Sequence, residues 1–295
     1  MKNTSSNYKS GFVNIIGRPN VGKSTLLNAF MGEKIAIISD RAQTTRQRMF
    51  GILTEGHYQI VFSDTPGAIH PNYTLQERMM GYVKTALEDA DVILFMTALE
   101  DKNDHPELVE MAMAAKAPVL FLINKVDQNK GSQRHDKHFY WKSLYPDLEF
   151  MTVSALKQEG VDHLKERIIE LLPNCPPYFP EDELTDKSER FITSEIIREK
   201  IFLNYRQEIP YSSEVVVTGF KESVDIIRIE AEIYVERESQ KGIIIGKKGA
   251  SLKNVGIEAR KDIEAFFGKK VNLKTFVKVE KNWRKDGRKL KRFGY

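Results

Sequence analysis

Gly17-Arg18-Pro19-Asn20-Val21-Gly22-Lys23-Ser24 follows the apolar run Phe12–Ile16 and leads into a helix-like stretch, Thr25–Phe30. Glycine, four residues, then Gly-Lys-Ser, set between a strand and a helix, is the pattern of a phosphate-binding loop. Its glycines let the backbone curl so that N–H groups face a β-phosphate, and the helix adds its positive N-terminal end. Lys23 is placed to reach the β- and γ-phosphates and the Ser24 hydroxyl to ligate Mg²⁺. Residues 17–25 are therefore the expected cradle of a nucleoside triphosphate.

Working outward, apolar runs recur at Gln59–Phe62, Val92–Met96, Val119–Ile123 and Phe150–Val153. Amphipathic stretches such as Leu75–Leu87, Glu107–Ala115 and Val161–Leu172 lie among them. Continuous apolar strands alternating with helices predict a mostly parallel sheet covered on both faces, an α/β domain over residues 8–172. In such sheets ligands sit beyond the carboxyl ends of the strands, and each polar motif below follows one of these runs.

Asp64-Thr65-Pro66-Gly67 comes directly after a strand, about forty residues past Lys23. Its carboxylate is suited to hold Mg²⁺ through water, and the Gly67 N–H to bond a γ-phosphate. Between the loop and Asp64 lies the polar segment Ala42-Gln43-Thr44-Thr45-Arg46. A threonine there completes a Mg²⁺ shell when a γ-phosphate is present. Thr45 is chosen over Thr44, although spacing does not decide between them. Asn124-Lys125-Val126-Asp127 follows Val119–Ile123. Asp127 can accept two hydrogen bonds from guanine N1–H and its exocyclic amine, an arrangement adenine does not offer. Asn124 is expected to tie the base edge to the phosphate loop, and the Lys125 stem to cover the base plane. Ser154-Ala155 follows the last strand and is expected to offer a backbone N–H to guanine O6. Asp127 would have no task in a kinase or an ATPase, so the set reads as a GTPase with Lys23, Thr45 and Gly67 at the reacting phosphate.

Pro173-Asn-Cys-Pro-Pro-Tyr-Phe-Pro180 places four prolines in eight residues, ahead of the acidic Glu181–Asp186. Residues 173–187 read as a linker, since prolines at this density cannot continue a helix. Beyond it the pattern is α+β: a helix over Glu189–Tyr205, strands over Glu214–Phe220 and Asp225–Val235, two helices around a glycine turn, and a strand over Val271–Val279. Charge is unevenly spread. From Ser239 onward there are 17 Lys/Arg against 5 Asp/Glu, a balance of +12; the remaining 28 against 36 gives −8. A basic run is often only a solvated face, but here it surrounds Ile243-Ile244-Ile245-Gly246-Lys247-Lys248-Gly249. Glycines at both ends permit close approach to a sugar–phosphate chain, the lysines neutralise phosphates, and the isoleucines are expected to form an apolar floor under unstacked bases. This is the Gly-x-x-Gly loop of KH domains, which grip single-stranded RNA. The leading helix predicts the type II order for residues 188–295, a smaller α+β domain. Trp283 to Tyr295 reads as a basic or packing tail.

The 295 residues, 41% hydrophobic and 29% charged, fit a globular protein of one large or two medium domains. No apolar stretch reaches membrane-span length, and the polar Met1–Ser10 does not resemble a signal peptide. Cys175 is the only cysteine, so no intrachain disulfide can form, and a reducing cytoplasm is the expected compartment.

The combination resembles the Era family of bacterial GTPases, which carry a C-terminal KH domain. The blocks Gly17–Ser24, Gln43–Arg46, Asp64–Gly67, Asn124–Asp127, Ser154-Ala-Leu-Lys157, Ser188-Glu-Arg-Phe191 and Gly242–Gly249 carry the likeness over nearly the whole chain. The resemblance implies a role in assembly of the small ribosomal subunit, with the KH domain holding the 3′ end of its RNA. It further implies a cytoplasmic protein with a pool peripheral to the inner membrane; GTP and GDP are the expected ligands, and nothing in the sequence demands more than a monomer. The family lacks the glutamine that many GTPases place after Asp-x-x-Gly; here that position is Ala68, which cannot orient water, so slow intrinsic turnover is expected. Related GTPases use K⁺ instead, held partly by the asparagine matching Asn20. Arg41-Ala42 stands where relatives often have proline near the threonines, which bears on the conformation of that segment. Two rivals stay open: an RNA-binding module with a structural nucleotide, and a GTPase of tRNA modification or membrane insertion whose second half docks protein.

Overall fold

The computed structural model describes residues 8–101 and 106–295; most of the polar N-terminal stretch, Met1–Asn7, lies outside them. The chain forms two compact units. One comprises 8–36, 45–70 and 79–186, the other 37–44, 71–78 and 187–295.

In chain order the first elements are β1 (Lys9–Gly17), α1 (Lys23–Met31), β2 (Met49–Glu55), β3 (Tyr58–Asp64) and α2 (Thr74–Glu88). Then come β4 (Val92–Ala98), α3 (Pro106–Met113), β5 (Val119–Asn124), α4 (Gln133–Leu144), β6 (Glu149–Thr152) and α5 (Val161–Leu171). The six strands lie in the order β2-β3-β1-β4-β5-β6, parallel except for β2, which runs antiparallel to β3. The predicted strands are all present, and β3 and β4 are buried along their whole length, as continuous apolar runs require. Two elements, β2 and α4, have no counterpart in the sequence reading. α4 carries a single fully buried side chain, Trp141, whose ring lies 4.8 Å from that of Phe121; Phe95 and Phe150 pack on Phe121 in turn. With so little apolar periodicity, the helix is held by one anchor against the sheet.

The proline-rich stretch is not a slack tether. Cys175 N donates to Tyr8 O, the Gln59 side chain bonds the backbone of Tyr178 and Phe179, Ile52 N donates to Leu184 O, and Phe50 N donates to Asp186 Oδ1. Leu184 and Asp186 thus satisfy the open edge of β2, and residues 173–186 belong with the first unit.

The second unit contains α6 (Glu189–Asn204), one turn α7 (Ile209–Ser212), β7 (Glu214–Glu222), β8 (Ile226–Val235), α8 (Glu238–Ile245), α9 (Ala250–Phe267), β9 (Lys270–Val279) and α10 (Gly287–Arg292). Its sheet has the order β7-β8-β9, with the first pair antiparallel and the second parallel. This is the predicted α-β-β-α-α-β order. Val255, Ala259 and Ile263, four residues apart on α9, form its buried stripe. The closing segment is a packing tail: Trp283 is fully buried, donates from Nε1 to Ser212 O at 3.0 Å, and meets Phe293 edge-on.

Candidate functional site

The carboxyl ends of β1, β3 and β5 and the segment after β6 converge at the start of α1. Gly22 is left-handed at φ +101°, and any Cβ there would strike the Asn124 amide, so only glycine closes this turn. A side chain at Gly67 would run into the Pro19 backbone, and Ala68 N donates to Gly17 O at 3.0 Å. The Asp64–Gly67 turn is thereby held directly against the phosphate loop.

Three oxygens meet beside Lys23. Ser24 Oγ donates to Asp64 Oδ2 at 2.6 Å, Thr45 Oγ1 donates to the same oxygen at 3.1 Å, and the two hydroxyls lie 3.0 Å apart. Thr44, the alternative, turns elsewhere: its hydroxyl donates to Arg41 O at 2.8 Å and pairs with Ser39 Oγ. Geometry therefore separates two threonines that spacing could not. Thr65 sits within the motif, but its hydroxyl is committed to Ile15 O at 2.7 Å and acts as a buried strand tie.

Lys23 is 6% exposed and donates to the carbonyls of Gly17 at 3.1 Å and Arg18 at 2.8 Å. Burial pushes its ammonium down to about 8, against the opposing pull of Asp64 and Asp101. Phosphate oxygens drawn to the ammonium favour its charged form, so the value with triphosphate bound exceeds that of the free protein. GTP affinity is consequently expected to be level below pH 8 and to fall above it, approaching tenfold per pH unit. Nucleotide titrations between pH 7 and 10 check this; a flat profile would contradict it. Without nucleotide, the cost of the buried charge is present below pH 8 and relieved as pH rises toward the ordinary 10.5.

At the base-reading end, Asn124 is 2% exposed, donates from Nδ2 to Val21 O at 2.8 Å and accepts from Ala155 N at 3.0 Å. It joins the phosphate loop to the segment after β6. Ala155 N donates to Asn124 Oδ1, and Ser154 N donates to Glu159 O at 3.0 Å. The Ser154 hydroxyl donates to Asp127 Oδ1 at 2.6 Å and helps to fix the carboxylate plane. Val126 is buried behind this edge. Lys125, left-handed at φ +63°, projects its ammonium to Glu100 Oε1 at 2.5 Å. Asn20, also left-handed at φ +66°, is exposed at the loop's crest.

In the second unit the glycine turn has Gly246 at φ +69° and Gly249 at φ +79°, with Lys247 and Lys248 exposed between them. A Cβ on Gly246 would collide with the Ser251 side chain. Ile244 corrects the expectation of an apolar floor: it is fully buried in the core, and only Ile243 and Ile245 reach the surface. The apolar lining comes from elsewhere. A groove of about 370 Å³ runs from Gly249 between α9 and β9, lined by Leu252, Gly256, Ile257 and Leu273 with Lys253, Arg260, Asn272 and Thr275. Sequence reading missed these residues; the four-residue spacing of Leu252, Gly256 and Arg260 was the available signal, marking one helix face beside the turn.

A mostly parallel sheet with a phosphate loop, a three-oxygen cluster and an Asn-x-x-Asp turn after β5 has the build of a GTPase, here joined to a KH unit. Residues 12–125 match a family described as 50S ribosome-binding GTPase, and residues 208–284 match the KH domain family. GTPase Era of Geotalea uraniireducens is 48% identical over 295 residues, 99% of each chain, and GTPase Era of Geobacter metallireducens is 48% identical over 292 residues, 98% of each. The chain belongs to the Era family of GTPases. Among solved structures, an Aquifex aeolicus Era variant bound to GDP·AlF₄⁻ is 39% identical with a TM-score of 0.92, covering 97% of this chain and 99% of the other. Era in complex with MgGDPNP and nucleotides 1506–1542 of 16S ribosomal RNA is 38% identical with a TM-score of 0.93, covering 98% and 99%.

Proposed function

We propose that this protein is a GTP-hydrolysing switch whose KH unit binds single-stranded RNA, the 3′ end of small-subunit ribosomal RNA, during assembly of the small subunit. The observation that carries the switch is the meeting of Ser24, Thr45 and Asp64 oxygens beside the buried Lys23. Hard oxygen donors of this kind suit Mg²⁺: Ser24 and Thr45 would hold it directly and Asp64 through water. When bound, the ion neutralises charge on the β- and γ-phosphate oxygens. Lys23 and the N–H groups of residues 17–24 add donors aimed at the same charge in a site closed to bulk water. Asp127, oriented by Ser154, selects guanine. Gly67 brings a backbone N–H toward the γ-phosphate. Ala68 has only a methyl group to offer an attacking water, so intrinsic turnover is slow. K⁺ near Asn20 would supply the missing positive charge.

Support for RNA comes from the exposed Lys247-Lys248 pair, the adjoining groove with Arg260 and Lys253, and the Era relative bound to 16S RNA nucleotides. Replacing both turn lysines with aspartate is expected to weaken binding of a single-stranded small-subunit 3′-end oligonucleotide by one to two orders of magnitude. It should also lower the salt slope of log K by ~1.4 or more, since each lost phosphate contact on a single strand removes ~0.7. RNA-free GTP turnover should be unchanged. RNA affinity insensitive to this change would favour a protein-docking role for the second unit. Multiple-turnover phosphate release sets the switch apart from a module with a structural nucleotide. Among the described residues no helix is long and apolar enough to cross a membrane. A monomer in the cytoplasm with a peripheral inner-membrane pool completes the proposal, and fractionation of cell extracts tests it.

A further inference from the structure

Arg48 stands at the entrance of β2, three residues after Thr45, and plays no part in the chemistry above. Its side chain is 9% exposed, yet every prong of the guanidinium is engaged. Nε donates to Ser63 Oγ at 2.6 Å, one prong donates to Asp89 Oδ2 at 2.6 Å, and the other donates to Asp89 Oδ1 at 2.9 Å and Asn14 Oδ1 at 3.2 Å. The network closes on itself: Asn14 Nδ2 donates to Asp89 Oδ1 at 2.8 Å and to Ala86 O at 2.5 Å. One buried cation thus ties together β1 through Asn14, β3 through Ser63, and the exit of α2 through Ala86 and Asp89.

These partners bear directly on the three-oxygen cluster. Ser63 is the residue before Asp64, so the guanidinium is referenced to the strand that carries the carboxylate. Three residues span at most ~10 Å, so fixing Arg48 limits where Thr45 can place its hydroxyl. A bidentate arginine–carboxylate pair is a directional clamp, which a lysine cannot reproduce. Burial also makes the pair stringent, because losing the carboxylate leaves a charged guanidinium with too few acceptors.

We propose that Arg48 and Asp89 are a positioning pair that holds Thr45 in reach of Ser24 and Asp64, and so sets the Mg²⁺ affinity of the GTP-bound form. The inference rests on Thr45 completing the Mg²⁺ shell only when a γ-phosphate is present. The GDP form, which does not use Thr45, is then insensitive to the pair.

The test titrates Mg²⁺ against fluorescent GDPNP and fluorescent GDP with Asp89→Asn, Arg48→Lys and Thr45→Ala. Asp89 is half exposed, so its amide variant keeps the shape of the site, and Arg48→Lys keeps the charge while losing the fork. Both are expected to raise the Mg²⁺ concentration for half-maximal GDPNP binding about tenfold, with GDP affinity changed less than twofold. Thr45→Ala should show the same split. If Thr45→Ala leaves the Mg²⁺ response of GDPNP unaltered, the reading of Thr45 fails and the pair loses its task. If Thr45→Ala gives the split while the other two leave Mg²⁺ dependence as it was, or lose GDPNP and GDP in parallel, the positioning role is overturned and the cluster is only a fold tie.

Discussion

Lys23→Ala is expected to lower GTP affinity at least a hundredfold, to the point where ordinary titrations detect no binding. The ammonium is buried, and its hydrogen bonds go to the carbonyls of Gly17 and Arg18, which a phosphate would supplement. A charged donor acting in such a water-poor site is worth ~3–4 kcal/mol, and each 1.4 kcal/mol is tenfold in affinity. The same burial holds the free ammonium down to about 8, so the empty protein already bears a cost that the alanine variant does not. The variant should therefore melt at or near the wild-type temperature without nucleotide, while losing the stabilisation that GTP confers on the wild type. Isothermal titration and thermal melts with and without GTP check both parts. Near-normal GTP binding by a folded variant would remove Lys23 from the site.

Asp127→Asn is expected to exchange guanine for xanthine preference. On the proposed reading the carboxylate accepts from two donors on guanine, and an amide presents one acceptor and one donor in its place. A site built around paired hydrogen bonds rejects a mismatched partner by as much as 10⁴–10⁵-fold, because buried groups are left unmade. A loss of GTP affinity of at least a hundredfold, with a gain for xanthosine triphosphate, is the expected pattern. Ser154 sharpens it: its hydroxyl donates to Asp127 Oδ1, and the asparagine can keep that bond through its carbonyl oxygen. Competition between GTP and xanthosine triphosphate, against fluorescent GDP on the wild type and fluorescent xanthosine diphosphate on the variant, reads out the switch. Unchanged guanine selectivity would show that another group reads the base.

Much of this site was legible because phosphate binding is local chemistry. Gly17–Ser24 dictates its own strand–turn–helix setting, and the continuous apolar runs marked β1, β3, β4 and β5 as core strands, β3 and β4 buried from end to end. What escaped depends on partners distant in the chain. β2 is only partly buried and pairs antiparallel at one edge, where Leu184 and Asp186 satisfy its outer backbone. α4 depends on one tryptophan rather than a stripe. Thr44 and Thr45 are chemically alike, and only the turn that sends Thr44 to Ser39 and Arg41 leaves Thr45 for Asp64. The three isoleucines before Gly246 looked equivalent, but helical geometry sends Ile244 to the core and moves the apolar lining of the groove to α9 and β9.

On the proposed reading the protein grips the 3′ end of small-subunit ribosomal RNA under nucleotide control. Crosslinking the protein to RNA in cells and sequencing what is recovered, alongside in vitro binding of GTP-locked and GDP-locked protein, tests it most directly. Enrichment of that 3′ end, with tighter binding in the GTP-locked form, is the predicted result. Recovery of unrelated RNA, or equal binding in both nucleotide states, would contradict it.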